Sequence, residues 1–237
     1  MLQQCPGLAA GQCQERVTLT AEPPENQVAE AARSLEVRWI FPGQLEAAVA
    51  GWFARFPART ESREDTYLLD PQLPGLSVKV RGGGALEVKA YCGSPGILEV
   101  AGRARGRMES WQKWSFPFSP VGPGSGDLAG WRPVRKRRRI SRFSLSSGQL
   151  EARGPALDEQ PRCEVELTEV QTPGQDWWTL GFEATGPADL LPSELQAAAA
   201  LVFAQALPGD MKPGPQASRS YAEWLGQWPG TGSTADT

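Results

Sequence analysis

The chain has 237 residues, a net charge of -3, 40% apolar and 22% charged residues, and no histidine. That balance belongs to one large or two small globular domains, not to a disordered or fibrous chain. It excludes histidine-based triads, general bases and metal ligands, and no apolar run reaches the roughly 18 residues that a membrane-spanning helix needs.

The opening Met1-Leu2-Gln3-Gln4-Cys5-Pro6 carries neither the basic nor the apolar region of a secretory signal. Cys5, Cys13, Cys92 and Cys163 show no C-x-x-C spacing. We therefore expect free thiols in a reducing, cytoplasmic setting. Residues 1–33 are polar and weakly patterned, with Pro23-Pro24 breaking any element, and are expected to form a flexible leader. Ordered structure is expected over 34–228, followed by a Gly/Ser/Thr tail at 229–237.

Ser34 to Phe41 begins with alternating polar and apolar residues, which predicts a strand. Leu45, Val49, Trp52 and Phe56 follow at helical spacing, and Pro57 ends that helix. Arg59 to Leu69 returns to a strand-like pattern. Leu76–Arg81 and Ala85–Tyr91 alternate strictly on either side of Gly82-Gly83-Gly84, the signature of a hairpin. The glycines lack the Lys-Ser/Thr and following helix of a phosphate-cradling loop. Residues 97–117 predict one or two strands, 119–130 a loop, 134–146 a very basic strand and 147–161 a second loop. Cys163–Leu167 and Trp177–Glu183 form a hairpin about Pro173-Gly174. A helix is expected over 192–207, with Leu195, Ala199, Val202 and Ala206 on one stripe, and a short one over 220–228.

The strands carry charges of mixed sign along one face. A sandwich buries apolar inner faces, so this pattern points instead to an α+β single domain. Its core is an antiparallel eight-stranded barrel with a polar interior, and helices pack on its apolar outer face. The basic set on the charged faces is Arg38, Lys79, Arg81, Lys89, Lys136 and Arg138; the acidic set is Glu36, Glu87, Glu164, Glu166 and Glu183. Arginine and lysine suit phosphate oxygens, and clustered carboxylates suit Mg²⁺ or Mn²⁺. Both sets in one cavity are what a metal–polyphosphate site requires. Glu87 is expected to be a counter-charge to Lys89 or Arg81.

In their order along the chain these residues resemble the CYTH, or triphosphate tunnel metalloenzyme, superfamily. Ser34-Leu35-Glu36-Val37-Arg38 resembles its E-x-E-x-K opening, Lys79-Val80-Arg81 its basic pair, and Leu86-Glu87-Val88-Lys89 its lysine-bearing strand. Lys136-Arg137-Arg138 resembles its K-x-R strand, Cys163-Glu164-Val165-Glu166 its paired-acid strand, and Trp178–Glu183 its late acid-ended strand. The ending Ser218-Arg219-Ser220-Tyr221-Ala222-Glu223-Trp224-Leu225 resembles that of CYTH-like proteins associated with cyanobacteria. The resemblance implies an open-ended tunnel barrel and a phosphohydrolase dependent on Mg²⁺ or Mn²⁺, acting on tripolyphosphate or an organic triphosphate. Arg38, Lys79, Arg81, Lys89, Lys136 and Arg138 would hold phosphates, and Glu36, Glu164, Glu166 and Glu183 the metal. Glu36, Glu166 and Lys79 would carry the chemistry. Two departures stand out: Ser34 replaces the first acid and Arg38 the lysine. They set a non-catalytic phosphate-binding or interaction protein beside the hydrolase as the alternative.

The run Arg135–Arg142 also has the look of an RNA-binding patch. Strand alternation sends Lys136 and Arg138 one way and Arg135, Arg137 and Arg139 the other, and the acidic pI of about 5.3 argues against a broad phosphate-backbone footprint. Trp111, Trp114, Trp177 and Trp178 are read as core or rim residues before stacking platforms, and adjacent Trp177 and Trp178 must point to opposite faces.

Overall fold

The structure, a computed structural model, describes residues 31–70, 72–73, 75–82, 84–117, 130–146, 149–153, 161–209 and 211–227. Nearly all of the expected leader, the tail and most of the 119–130 loop lie outside these residues, as do Cys5 and Cys13.

The described residues form nine strands and three helices, in the order β1 (Ala32–Pro42), α1 (Ala47–Phe53), β2 (Arg59–Leu68), β3 (Leu76–Arg81), β4 (Ala85–Val100), β5 (Ala104–Pro117), β6 (Trp131–Ser146), β7 (Gln149–Arg153), β8 (Arg162–Thr172), β9 (Gln175–Thr185), α2 (Leu191–Ala204) and α3 (Tyr221–Gly226). Strand pairing runs β2-β3-β4-β5-β1-β9-β8-β6, and β6 pairs again with β2. Every pairing is antiparallel, so eight strands make a closed antiparallel barrel. Closure leaves the barrel strands no free edge along the paired lengths.

The turns follow from their residues. Pro173 and Gly174 join β8 to β9, with Gly174 at φ 86°, a left-handed conformation that glycine adopts without steric penalty. β4 is longer than its alternating stretch predicts. It continues through irregularities between Tyr91, Gly93 and Gly96, and re-pairs with β5 as far as Val100↔Ala104. Residues 97–100 therefore belong to β4, and β5 is the one further strand.

The expected loop at 147–161 contains β7, a short strand on β6 from Arg142↔Arg153 to Ser146↔Gln149. The 192–207 helix ends at Ala204, so Ala206 leaves the stripe and is exposed, whereas Leu195, Ala199 and Val202 are buried.

The apolar core lies outside the barrel wall, under the helices. Leu35, Val37 and Trp39 of β1 and Val165, Leu167, Leu180, Phe182 and Ala184 of β8–β9 face α2, which buries Leu195, Ala198, Ala199, Val202 and Phe203. Trp39 meets Phe203 edge-on at 5.8 Å and Phe182 at 6.1 Å. α1 places Trp52 and Phe53 against Phe56, which meets Phe143 of β6. Small residues on α2 allow close approach to the sheet, and burial of these side chains supplies most of the driving force for closure. On β5, Gly106 sits where an added Cβ would come within 2.7 Å of Val37 and Trp39.

Candidate functional site

Directly opposed residues of an antiparallel pair share a face, so the registers read out the inside of the barrel. Glu36 of β1 opposes Glu183 of β9, and Arg38 opposes Gly181. Lys79 of β3 opposes Glu87 of β4, and Ser77 opposes Lys89. Glu61 and Arg63 of β2 oppose Arg138 and Lys136 of β6. Arg138 in turn opposes Thr168 of β8.

Of the expected basic residues, Arg38, Lys79, Lys89, Lys136 and Arg138 line one small cavity of about 80 Å³ together with Glu36, Glu166 and Glu183. Arg81 stands apart from that lining, 38% exposed, tied to Glu87 at 3.1 Å. Glu164 is likewise outside the lining and bonds Arg142 at 2.6 Å. Glu87 is a counter-charge as expected, to Arg81 and, at 2.8 Å, to Lys79 rather than Lys89. Gly181 is needed where Arg38 crosses β9, because a Cβ there would lie 2.8 Å from the guanidinium carbon.

Almost every lumen charge has a partner of opposite sign. Arg38 Nη1 donates to Glu166 Oε1 at 2.5 Å and to Thr179 Oγ1 at 3.0 Å. Arg138 donates to the other Glu166 oxygen through Nε at 2.9 Å and through Nη2, and reaches Glu61 at 3.3 Å. Asp65 Oδ2 accepts from both Lys79 and Lys136 at 3.3 Å, and Arg63 Nε lies 3.1 Å from Oδ1 as an ion pair without hydrogen-bond geometry. Lys89 Nζ donates to Glu36 at 2.6 Å and to Glu183 at 3.1 Å, and the Ser34 hydroxyl donates to the same Glu36 oxygen at 2.8 Å.

These pairings set the protonation states. Burial opposes ionisation of Glu166, but Arg138 and Arg38 overcome it and hold its pKa well below the usual carboxylate range. Burial likewise opposes the charged forms of Glu183 and Glu87, and Lys89 and Lys79 respectively bring each down to about 2. Asp65 is lowered against its burial by Lys136, Lys79 and Arg63. Burial pulls the pKa of Lys136 well down despite Asp65. Three cations share that one carboxylate, which keeps Asp65 ionised.

The C-terminal segment crosses one end. Ser220 caps α3 by accepting from the Glu223 amide at 3.1 Å. Tyr221 then enters the lumen, with Lys136 Nζ 4.0 Å and the Arg38 guanidinium 4.6 Å from its ring. Trp224 and Leu225 pack behind it with Ile40, Val134 and Val170. Tyr221 and α3 thus lie across the lumen at this end.

Beside Tyr221, between α3 and β2–β5, lies a cleft of about 440 Å³, and Tyr67, Ser77, Trp111, Ser220 and Ala222 line both it and the lumen cavity. Leu73, Leu76 and Tyr91, three of the exposed large hydrophobic residues, also line this cleft. Trp178 stacks on Phe41 in the outer core and Trp177 packs against Trp224 of α3, so the two point to opposite faces as expected.

Glu61, Arg63, Asp65, Tyr67, Thr179, Glu109 and Tyr221 were not among the expected site residues. The signal for the β2 group is the period-2 series Arg59, Glu61, Arg63, Asp65, Tyr67, which the intervening Glu64 disguises as a charge run. On the outer face of β6, Arg135 pairs with Glu64 and both Arg137 and Arg139 reach Glu169.

Carboxylates are suitable donors for Mg²⁺ or Mn²⁺, but no three acidic or thiol side chains converge as a metal site among the described residues. The two Glu166 oxygens face two guanidiniums, Glu164 faces Arg142, and Glu36 and Glu183 share Lys89. The donor set as arranged does not fit a divalent metal.

No family model and no curated protein matches the chain. Among solved structures it is similar to the S. pombe Pct1 RNA triphosphatase in complex with the Spt5 CTD, at 11% identity and a TM-score of 0.39, covering 74% of this chain and 80% of that one. A second structure of the S. pombe enzyme matches at 12% identity and a TM-score of 0.37, covering 75% and 80%.

Proposed function

We propose that the barrel is a receptor for the phosphate chain of tripolyphosphate or an organic triphosphate. The observation that carries this reading is the convergence of Arg38, Lys79, Lys89, Lys136 and Arg138, from four strands, on one cavity. Guanidinium forks and ammonium groups are the protein's donors for phosphate oxygens. A polyphosphate takes the place of the carboxylates, exchanging Glu166 and Asp65 for phosphate oxygens on the same cations.

The cavity of about 80 Å³ is well below the range of about 300–1,000 Å³ usual for small-molecule sites. A triphosphate therefore needs Tyr221 to withdraw. The adjoining cleft of about 440 Å³ lies within that range and takes whatever the phosphate chain carries.

Hydrolysis is the second reading, favoured by the neighbouring carboxylates Glu36, Glu183 and Glu164 on β1, β9 and β8. In that reading Glu36, Glu166 and Lys79 act on the substrate. Glu166, held at both oxygens, is badly placed to accept a proton from water, so binding is preferred. An RNA role for Arg135–Arg142 is not favoured, because the outward arginines are matched by Glu64 and Glu169.

The test is to incubate the full chain with tripolyphosphate or ATP, each in EDTA and with Mg²⁺ or Mn²⁺, and to record melting temperature and released phosphate together. A rise in melting temperature without release supports the receptor. Release abolished by Glu166→Gln establishes the hydrolase instead. No response to either compound overturns both readings.

A further inference from the structure

We infer that Lys89 is the cation joining Glu36 to Glu183, so that this lumen meets a phosphate chain without a divalent metal. The argument begins with register. Glu109 of β5 opposes Glu36 of β1, Glu36 opposes Glu183 of β9, and Glu183 opposes Glu164 of β8. Four carboxylates thus stand in one row across four neighbouring strands. Opposed side chains of this kind have Cβ atoms about 5 Å apart, and like charges so placed repel. Such a row folds only if cations are supplied.

The chain supplies them from its own side chains. Arg107 bonds Glu109, Lys89 bonds both Glu36 and Glu183, and Arg142 bonds Glu164. Lys89 is the member that two carboxylates share, at 2.6 and 3.1 Å, and its side chain is only 19% exposed. Its ammonium therefore lies where an ion bridging the two acids would have to be. Ser34 completes the arrangement by donating a hydrogen bond to Glu36, where a further acid would have added a hard ligand and a negative charge.

A divalent ion could enter only by displacing Lys89. In the lumen without phosphate, that would leave a poorly solvated ammonium without a counter-ion, the costly half of a broken buried pair. Mg²⁺ in addition demands near-octahedral oxygen ligands at about 2.0–2.1 Å, and the remaining acid of the cavity, Glu166, is held between Arg38 and Arg138. The part of the inference that concerns phosphate rests on the receptor reading above; the part that concerns the metal does not. With no metal required, complexation of a polyphosphate by Mg²⁺ removes charge that the lumen cations would otherwise meet, and so weakens binding.

The test uses the full chain, stripped of metal. Mn²⁺ binding is followed by the electron paramagnetic resonance signal of the free ion. Wild type is expected to bind no Mn²⁺ at millimolar concentration. Lys89→Gln, which frees Glu36 and Glu183, should gain one Mn²⁺, and Lys89→Arg should not.

Tripolyphosphate titrated calorimetrically should bind in EDTA within about threefold of its affinity without chelator, and more weakly in excess Mg²⁺. A wild-type Mn²⁺ site that Mg²⁺ displaces, a folded Lys89→Gln variant that gains none, or tripolyphosphate binding that disappears in EDTA would each overturn the inference. Should Lys89→Gln fail to fold, the wild-type titration decides alone. Should tripolyphosphate bind in neither buffer, the receptor reading falls, while the Mn²⁺ result still decides what Lys89 does.

Discussion

Replacing Glu166 with glutamine keeps the shape of the side chain and removes the charge that two guanidiniums share. Glu166, Arg38 and Arg138 have side chains only 9%, 9% and 10% exposed, and both Glu166 oxygens are engaged. Removing one partner of a buried ion pair typically costs about 3–5 kcal/mol, because the charge left behind is neither paired nor hydrated. For a chain of this size a kilocalorie moves the melting temperature by about 2–4 °C, so a fall of roughly 6–20 °C is expected. The same loss should make the variant more responsive to anions. Tripolyphosphate supplies the missing negative charge, and a ligand that binds the folded state stabilises it by RT ln(1 + [L]/Kd). Differential scanning fluorimetry of wild type and variant, with and without tripolyphosphate, measures both effects. The reasoning is refuted if the variant melts within about 2 °C of wild type, or if tripolyphosphate raises its melting temperature no more than it raises that of wild type.

Three further outcomes are expected. Gly181→Ala sets a methyl group against the Arg38 guanidinium and should weaken tripolyphosphate binding roughly tenfold by calorimetry while the protein stays folded. Acid should unfold the barrel progressively. Glu87 and Glu183 are held at about 2 when folded, below their unfolded value of about 4.3, so their stabilisation is full above that value and is lost as pH falls toward 2, as thermal melts across pH 2–6 will show. Arg137→Ala, whose side chain is 59% exposed and 3.9 Å from Glu169, should change stability by less than about 0.5 kcal/mol and leave tripolyphosphate affinity unaltered.

Much of this arrangement is legible in the sequence because strand side chains alternate with period 2. Lys79 and Arg81, Lys136 and Arg138, and Glu164 and Glu166 each sort onto one face without any knowledge of the fold, and the closed barrel turns that face inward. The pattern fails where something else shares the strand. Glu64 is an outward charge that hides the inward series Glu61, Arg63, Asp65, and β7 lies in a stretch whose glycine and proline content reads as a loop. It fails again for Tyr221, which enters from a short helix far along the chain and whose lumen position follows only from how α3 packs on Ile40, Val134 and Val170. Pairings are less legible than faces. Glu87 reads as a partner of Lys89 or Arg81; it holds Arg81, and register adds Lys79 across the β3–β4 ladder rather than Lys89.

The seam between β2 and β6 bears on how the ring finds its alignment. It joins residues 59–68 to residues 131–140, with β3, β4 and β5 between the two strands in sequence. A slip of one residue along this seam would exchange Lys136 and Arg138 for Arg137 and Arg139 on the inner side. Asp65 would lose Lys136 and Glu61 would lose Arg138. Buried ion pairs add little net stability over apolar residues of the same shape; here they bear on selection, since this alignment is the one that sets Lys136 beside Asp65 and Arg138 beside Glu61.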